Sequence, residues 1–230
     1  SDQGLNWIQV VSGLKARDMS GFIVDGTMLY GNGNSIFKTN DEGGVWTNVR
    51  GNMKDSCSQP TLVYVNGSLL FAREFPSQGL LRSTDGGTTW IQSGNGLPPF
   101  GAVQSIVSSG SALLTAMNGR VYKSTNNGDT WFQTDNSIVE FVYFDFVTRI
   151  GNTVYAHGMT VYRTTDEGTT WIDSDGGMAA FFRVDAIASN GTYLFAGGQF
   201  SSTLYRSSDN GDSWQERAPL PSNGMVFQFL

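Results

Sequence analysis

The chain has 230 residues, and its 14 Lys and Arg against 20 Asp and Glu give a formal net charge of −6. Hydrophobic residues make up 39% and Gly contributes 29 residues, which is ordinary for a globular protein and argues against a mainly disordered chain. The basic residues are scattered singly, so we expect no nucleic-acid partner, and no run reaches the roughly 18 apolar residues of a membrane span.

The low proportion of charged residues, 15% of the chain, implies a surface of Ser, Thr, Asn, Gln and Gly, which is typical of turn-rich β proteins. Cys57 is the only cysteine, so the chain can form no internal disulfide and no cysteine-based metal site. We therefore expect no metal and no cofactor.

In chain order, the first predicted element is a strand at Trp7–Val10, which follows a short segment containing Asp and Gly. Three later segments, 22–30, 62–71 and 187–195, each contain two β-branched or aromatic runs around a tight turn. These turns contain Asp25-Gly26, Asn66-Gly67 and Asn190-Gly191, the preferred residues for a two-residue hairpin turn in which both central residues have positive φ. The pattern predicts β-hairpins.

Five segments share one order of residue types: an apolar residue, a base, a hydroxyl, any residue, Asp or Asn, any residue, Gly, two residues and Trp. They are 37–46, 81–90, 122–131, 162–171 and 205–214. Their Trp residues follow one another at intervals of 40 to 44 residues, which is the length of a four-stranded propeller blade. Each unit is expected to have a hairpin, a third strand that leads into the motif, and a fourth strand that begins at the Trp.

The prediction is an all-β fold: a β-propeller of four-stranded antiparallel blades, in one domain over residues 1–230. It has five complete blades plus strands of a partial sixth, because Trp7–Val10 resembles a last strand and Met225–Leu230 a first strand. These ends favour a piece of a longer repeat protein, since an open sheet edge is usually avoided. A ring that closes on five blades with irregular ends is the alternative.

The shared segment, Ser/Thr-x-Asp-x-Gly-x-Thr/Ser-Trp, resembles the Asp-box, or bacterial neuraminidase repeat, of sialidase-like and xyloglucanase-like propellers. The resemblance implies that each box forms the hairpin between the third and fourth strands, on the periphery and away from the ligand-binding face. It implies a propeller but no particular activity.

The residue types in the box also favour a structural role. A side chain that accepts hydrogen bonds from the backbone of its own turn is expected at five positions: Asp41, Asp85, Asn126, Asp166 and Asp209. A large apolar contact at the end of each blade is expected from Trp46, Trp90, Trp131, Trp171 and Trp214. Asn126 could not replace an acid–base carboxylate, so the box is a poor candidate for catalysis.

The resemblance places ligands on the loops that join successive blades and on those between second and third strands. Candidate ligand-binding residues in these loops are Arg17, Arg73, Glu74, Phe100, His157, Phe181, Arg183 and Phe200. Arg17 and Arg183 would meet a carboxylate, and the Phe residues a sugar face. Arg73 and Glu74 form a charge pair suited to a polar ligand. A solvated ion pair and packing between blades are the alternatives. His157 is either a general base or a buried structural residue.

Three functions are consistent with this sequence. The first is a non-catalytic module of a secreted or surface protein, extracellular, cell-surface or periplasmic, that recognises a glycan or protein partner through the loop face. The second is a sialidase-like or endoglucanase-like hydrolase, although Phe182-Arg183-Val184 lacks the Pro of the Phe-Arg-Ile-Pro segment in sialidases. The third is a scaffold similar to an assembly factor.

Overall fold

The structure is a computed structural model that describes residues 12–14, 19, 21–54, 59–74, 79–134, 143–180, 182–198 and 201–217. These residues form twenty β-strands in five four-stranded antiparallel sheets, each built from four consecutive strands. The chain divides into two compact units, unit 1 (residues 1–93) and unit 2 (residues 94–230). Sheets 1 and 2 lie in unit 1, and sheets 3, 4 and 5 lie in unit 2.

The strand bounds are as follows. Sheet 1 contains β1 (Gly21–Asp25), β2 (Met28–Asn32), β3 (Ile36–Thr39) and β4 (Thr47–Asn48). Sheet 2 contains β5 (Thr61–Asn66), β6 (Leu69–Arg73), β7 (Leu80–Ser83) and β8 (Ile91–Gln92). Sheet 3 contains β9 (Ile106–Ser109), β10 (Ala112–Met117), β11 (Arg120–Ser124) and β12 (Phe132–Gln133). Sheet 4 contains β13 (Phe144–Ile150), β14 (Thr153–Gly158), β15 (Val161–Thr164) and β16 (Ile172–Asp173). Sheet 5 contains β17 (Ala186–Ser189), β18 (Leu194–Gly197), β19 (Leu204–Ser207) and β20 (Gln215–Arg217).

The predicted all-β class and the five four-stranded sheets are confirmed. The fourth strands are shorter than expected, with two or three residues, and each begins one residue after its Trp. The two segments assigned to a partial sixth blade, Trp7–Val10 and Met225–Leu230, lie outside the described residues.

The hairpin turns differ from the prediction in their conformation. Asp25 pairs with Met28, so the central residues of that turn are Gly26 and Thr27, and Gly26 alone of the two has positive φ. Among the described hairpins, two central residues with positive φ occur at Asn118-Gly119, which joins β10 to β11. The sequence pattern located the turns, but in the first two the Asp or Asn ends the strand, so the central residues lie one position later. In the third, Asn190 begins a four-residue connection between Ser189 and Leu194.

Within each unit, hydrophobic cores lie between successive sheets. Leu70 of sheet 2 packs with Tyr30 of sheet 1, and Leu114 of sheet 3 packs with Phe144 of sheet 4. Tyr155 of sheet 4 packs in turn with Leu194 of sheet 5. Each core also contains the Trp that precedes the last strand of the later sheet: Trp90, Trp171 and Trp214. The repeated Trp therefore closes the core at one end.

The five shared segments form hairpins between the third and fourth strands, named turns 1 to 5 in chain order. They cover residues 39–46, 83–90, 124–131, 164–171 and 207–214. In turn 2, Ser83 donates to Asp85 Oδ1 at 2.7 Å and accepts the Gly87 N–H, while Asp85 Oδ1 also accepts the Thr89 N–H at 2.8 Å. These hydrogen bonds, first of all that from the Thr89 backbone, lower the pKa of Asp85 to about 2. The side chains of the turn therefore serve its own backbone.

Turn 3 contains the same hydrogen bonds with Asn126 in place of Asp: its Oδ1 accepts from Ser124 at 2.9 Å and from the Thr130 N–H at 3.0 Å. We expect Asp166→Asn in turn 4 to shift the melting temperature by no more than about 2 °C, since an amide oxygen can accept both bonds. Thermal denaturation of the two proteins at neutral pH measures this shift. A large loss of stability would contradict the equivalence of the two turns.

Turn 1 lacks one hydrogen bond that turns 2, 4 and 5 contain. In turn 2 the Thr89 hydroxyl donates to Asp85 Oδ2 at 2.7 Å, but Val45 occupies that position in turn 1 and is 56% exposed. We expect Val45→Thr to supply this hydroxyl to Asp41 and to raise the melting temperature by about 2 °C. Val45→Ala is the control, because it removes the same exposed apolar group without adding a donor. Equal melting temperatures for the two variants would contradict this explanation.

The loop ahead of a sheet binds the Trp of the same sheet. The backbone N–H of Trp46 donates to Ser12 O, that of Trp131 to Asn95 O and that of Trp214 to Gly176 O, each at 2.8 Å. In sheet 2 the backbone N–H of Trp90 donates to the side-chain Oδ1 of Asn52 at 2.6 Å. The contact requires glycine: a Cβ on Gly96, whose φ is +89°, would lie 1.8 Å from Trp131 O. The beginning of each of these loops therefore has a structural role.

Candidate functional site

The loops at one end of sheets 3, 4 and 5 form a continuous surface, here called the loop edge. It lies where the first strands begin and where the second strands turn into the third. The Gly119 N–H of sheet 3 donates to Phe144 O of sheet 4 at 3.3 Å, and the Val184 N–H ahead of sheet 5 donates to Gly158 O of sheet 4 at 2.7 Å. These bonds join the three sheets at this edge within unit 2.

Phe100 is the most exposed large apolar side chain among the described residues, at 82%. Its backbone is nevertheless fixed, because the Asn118 side-chain amide donates to Phe100 O. The next residue, Gly101, has a φ of +118°, and a Cβ there would lie 2.3 Å from Asn118 Oδ1. The Asn118-Gly119 turn therefore holds Phe100 in solvent at the start of the loop edge.

Tyr143 and Met159 are two further exposed apolar residues of the loop edge, on sheet 4. The Met159 backbone N–H donates to Tyr143 O at 2.9 Å. The Met159 side chain is 38% exposed and the Tyr143 side chain is 61% exposed. Gly158 permits this approach, since a Cβ there would lie 2.3 Å from Tyr143 O. The turn between β14 and β15 thus fixes the backbone of an exposed tyrosine.

Arg183 lies beside these residues and is bound on two sides. Its guanidinium forms ion pairs with Asp145 of β13 at 2.6 Å and with Asp185 at 2.7 Å, and the Arg183 side chain is 35% exposed. Partial burial would lower the pKa of Arg183, but the two carboxylates outweigh it and raise that pKa above its ordinary value. Arg183 therefore links sheet 4 to the loop ahead of sheet 5.

His157, predicted as a general base or a buried residue, is 1% exposed. Its Nδ1 lies 3.0 Å from Val184 O, which can only accept, so Nδ1 carries the proton and Nε2 accepts from the Thr148 hydroxyl at 2.9 Å. Burial lowers the pKa of His157 to about 4, against the opposing effects of Val184 O and Asp185. The ring is neutral at pH 7, and neither nitrogen is free to take a proton from a substrate.

Two carboxylates stand close together where sheet 4 leads into the next loop. The Asp175 N–H donates to Asp173 Oδ1 at 3.2 Å, and the Thr160 hydroxyl donates to Asp175 Oδ2 at 2.6 Å. Burial raises the pKa of Asp175, and the neighbouring Asp173 adds to this effect, although the Thr160 hydroxyl lowers it. The loop edge therefore carries negative charge in addition to Arg183 and its partners.

The predicted site residues are distributed as follows. Phe100, His157 and Arg183 lie on or behind the loop edge, whereas Arg17, Phe181 and Phe200 lie outside the described residues. Arg73 ends β6 in unit 1, and Glu74 accepts from the Gln92 side-chain amide at 3.1 Å. Ligand binding at each of these positions stays a prediction.

Sequence reasoning did not single out Tyr143, Met159 or Asp145 as site residues. Tyr143 and Asp145 flank Phe144, which is fully buried, so their position on either side of a buried aromatic residue is the signal that could have found them. Met159 follows His157 and Gly158 in the turn after a fully buried strand. Their position at the same edge as Phe100 depends on contacts between sheets, which a single sequence does not reveal.

Other features of the described residues do not suggest a second site. A cavity of about 230 Å³ lies at turn 1, beside Asp41 and Val45, and is smaller than a typical ligand pocket of roughly 300–1,000 Å³. Within the described ranges, no three His, Cys, Asp or Glu side chains are grouped to hold a metal ion. The same ranges contain no helix long and apolar enough to cross a membrane.

Five four-stranded antiparallel sheets of consecutive strands define a β-propeller domain. The model of the DUF6242 beta propeller domain family matches residues 45–184, more than half of the chain. The chain therefore belongs to this family. No curated protein matches the sequence.

Solved structures of other propellers are similar in fold. YCF48 from Cyanidioschyzon merolae is 14% identical with a TM-score of 0.61, over 86% of this chain and 71% of YCF48. YCF48 bound to D1 peptide is 18% identical with a TM-score of 0.57, over 90% of this chain and 68% of that one. The extracellular domain of BT4673 from B. thetaiotaomicron is 11% identical with a TM-score of 0.67, over 91% of this chain and 29% of that one. The GH74 xyloglucanase from Xanthomonas campestris is 14% identical with a TM-score of 0.63, over 92% of this chain and 39% of the enzyme. Identities this low establish the fold alone.

Proposed function

We propose that this propeller is a non-catalytic binding module that recognises a protein or glycan partner through the loop edge. The observation that supports it is the exposure of Phe100 at 82% and Tyr143 at 61% on backbones that neighbouring turns hold in place. Exposed aromatic groups that are already fixed lose little entropy when a partner covers them. Exposed apolar side chains grouped at one edge of a domain are typical of an interaction site.

The titratable groups at the loop edge favour binding over hydrolysis. His157 is neutral and buried, with both ring nitrogens in hydrogen bonds. Asp173 Oδ1 accepts the Asp175 backbone N–H at 3.2 Å and Asp175 Oδ2 accepts the Thr160 hydroxyl at 2.6 Å, so both carboxylates already stabilise the local turn. Arg183 is bound by two carboxylates, so it stabilises the edge instead of offering a free cation.

We further propose that the domain is an Asp-box propeller of a secreted or surface protein. The hydrogen bonds of turns 1 to 5 support the first part, because they use the Ser/Thr, Asp and Gly positions of that repeat. The similarity to the extracellular domain of BT4673 supports the second. Both partner classes occur among the similar folds, since YCF48 is bound to a peptide and the GH74 relative is a xyloglucanase.

The test is a thermal-shift screen of the chain against sialosides, neutral oligosaccharides, polysaccharide fragments and peptide pools. A partner of the native state at a hundredfold excess over its Kd should raise the melting temperature by about 5 to 10 °C. Phe100→Ala and Tyr143→Ala should abolish the shift. Phe132→Ala should retain it, since Phe132 is a comparably exposed aromatic, at 49%, on the outer strand β12.

Three outcomes would contradict the proposal. Loss of the shift in Phe132→Ala to the same extent would place the site elsewhere. Cleavage of a bound oligosaccharide would overturn the non-catalytic assignment. A melting temperature that responds to none of the four classes would contradict a binding role for this edge.

A further inference from the structure

The loop edge combines apolar side chains with an excess of acidic ones. Beside Phe100, Tyr143 and Met159, the described charged residues at this edge are Arg120, Asp145, Asp173, Asp175, Arg183 and Asp185. The described part of the loop edge therefore has four carboxylates and two guanidinium groups. One of these groups, that of Arg183, is already shared between Asp145 and Asp185.

The carboxylates of Asp173 and Asp175 increase this imbalance. Two acidic side chains in contact repel each other when both are ionised, and a nearby positive charge would relieve that repulsion. Within the described residues, the side-chain group that donates a hydrogen bond to the Asp175 carboxylate is the neutral hydroxyl of Thr160, at 2.6 Å. Asp173 is exposed at the end of β16, so a cation from a partner could approach it from solvent.

The apolar part of the loop edge favours a polypeptide over a sugar. Sugars stack on aromatic faces, whereas methionine and tyrosine together are enriched at protein interfaces, where the flexible thioether adapts to side chains of different shapes. Met159 is 38% exposed and is fixed beside Tyr143 through its own backbone N–H. The surface therefore suits an apolar side chain next to a cationic one.

We propose that the partner is a polypeptide segment in which a lysine or arginine stands next to an aromatic or aliphatic residue. The apolar residue packs on Phe100, Tyr143 and Met159, and the cation lies against Asp173 and Asp175. This inference rests on the proposed function, because it names the chemistry of the partner at the same surface. It excludes sialosides and acidic peptides, which the excess of carboxylates repels.

The experiment selects random short peptides displayed on phage against the intact chain, and then measures the Kd of the synthesised peptides by calorimetry. The recovered sequences should carry Lys or Arg beside an aromatic or aliphatic residue. Their affinity should weaken about 3- to 10-fold between low ionic strength and about 0.15 M salt, where charges are screened beyond about 8 Å. Acidic or uncharged recovered sequences would overturn the proposal.

Asp173→Asn and Glu42→Gln form a matched pair for the same peptides. Each removes one negative charge, and Asn at position 173 keeps the oxygen that accepts the Asp175 N–H. Asp173→Asn should weaken binding about 2- to 5-fold at low salt, the usual range for an exposed ion pair. Glu42→Gln, at an exposed position of turn 1 in unit 1, should leave the Kd unchanged.

The two proposals fail in different ways. If Phe100→Ala and Tyr143→Ala abolish peptide binding but Asp173→Asn behaves like Glu42→Gln, the loop edge is the binding surface and the cationic partner is wrong. If peptides bind equally to Phe100→Ala, Tyr143→Ala and the unmodified chain, the loop edge is not the site and both proposals fall.

Discussion

Replacing Trp90 by Ala is expected to lower the free energy of unfolding by about 3 to 5 kcal/mol, the usual cost of truncating a buried Trp. Trp90 is 4% exposed and lies in the core between sheets 1 and 2. Its Nε1–H donates to Val49 O at 3.0 Å and to Gly87 O at 3.1 Å, so the indole joins turn 2 to the end of sheet 1. The substitution removes both the packing and these bonds.

Chemical denaturation with urea, followed by tryptophan fluorescence or circular dichroism, measures this loss. Trp90→Phe is the control, because it retains most of the apolar contact and loses only the indole N–H. We expect its stability to lie between those of the unmodified chain and Trp90→Ala. A free energy of unfolding for Trp90→Ala within about 1 kcal/mol of the original would contradict a core position, since such small changes are typical of surface substitutions.

Lowering the pH through the range between about 6.5 and 4 is expected to destabilise the fold through His157. The folded protein holds this side chain neutral with a pKa of about 4, whereas its ordinary pKa is 6.5. In this range the unfolded chain binds more protons than the folded one. The contribution of the neutral His157 side chain to the free energy of unfolding is therefore complete above pH 6.5 and is lost as the pH falls toward 4. The difference in pKa corresponds to about 3 kcal/mol.

The measurement is the free energy of unfolding as a function of pH for the unmodified chain and for His157→Gln. The difference between the two curves should shrink by about 3 kcal/mol from pH 6.5 to 4. Asp175, whose pKa is raised, acts in the opposite direction in both proteins and cancels from the difference. The carboxylates of turns 2, 4 and 5, with pKa values of about 2, lose their contribution at lower pH. A constant difference between pH 6.5 and 4 would show that His157 is not buried and neutral.

The repeated parts of the fold could be predicted from the sequence because they depend on local chemistry. The Ser/Thr, Asp, Gly and Trp of each motif lie within eight residues, and the hydrogen bonds of the turn form among these residues. The interval between successive motifs equals the length of chain that forms one sheet. Four strands per sheet follow from the hairpin signals between the turns. The fourth strands begin one residue after the predicted start at the Trp, although their length was overestimated.

The candidate site could be predicted only in part, because it depends on contacts between residues that lie far apart in the sequence. Phe100 was identified as an irregular residue in a loop, but its fixation by Asn118 required the observed turn between β10 and β11. The hydrogen bond from the Met159 backbone N–H to Tyr143 O joins the turn after β14 to the residue just ahead of β13, and no motif in the sequence marks this contact. The shared binding of Arg183 by Asp145 and Asp185 joins sheet 4 to the loop ahead of sheet 5.

The contact between each leading loop and the Trp of its own sheet has a consequence for how such a chain can be lengthened. Ser12, Asn52, Asn95 and Gly176 each bind a Trp that lies ahead of the last strand of the same sheet. A segment that starts at the loop and ends with the fourth strand therefore contains both members of this contact. Gene duplication with boundaries directly after β4, β8 or β16 would copy a self-contained unit, whereas a cut between loop and first strand would separate the two members. Chimaeras with exchanged repeats should accordingly be joined at these boundaries, where an added copy supplies its own closing contact.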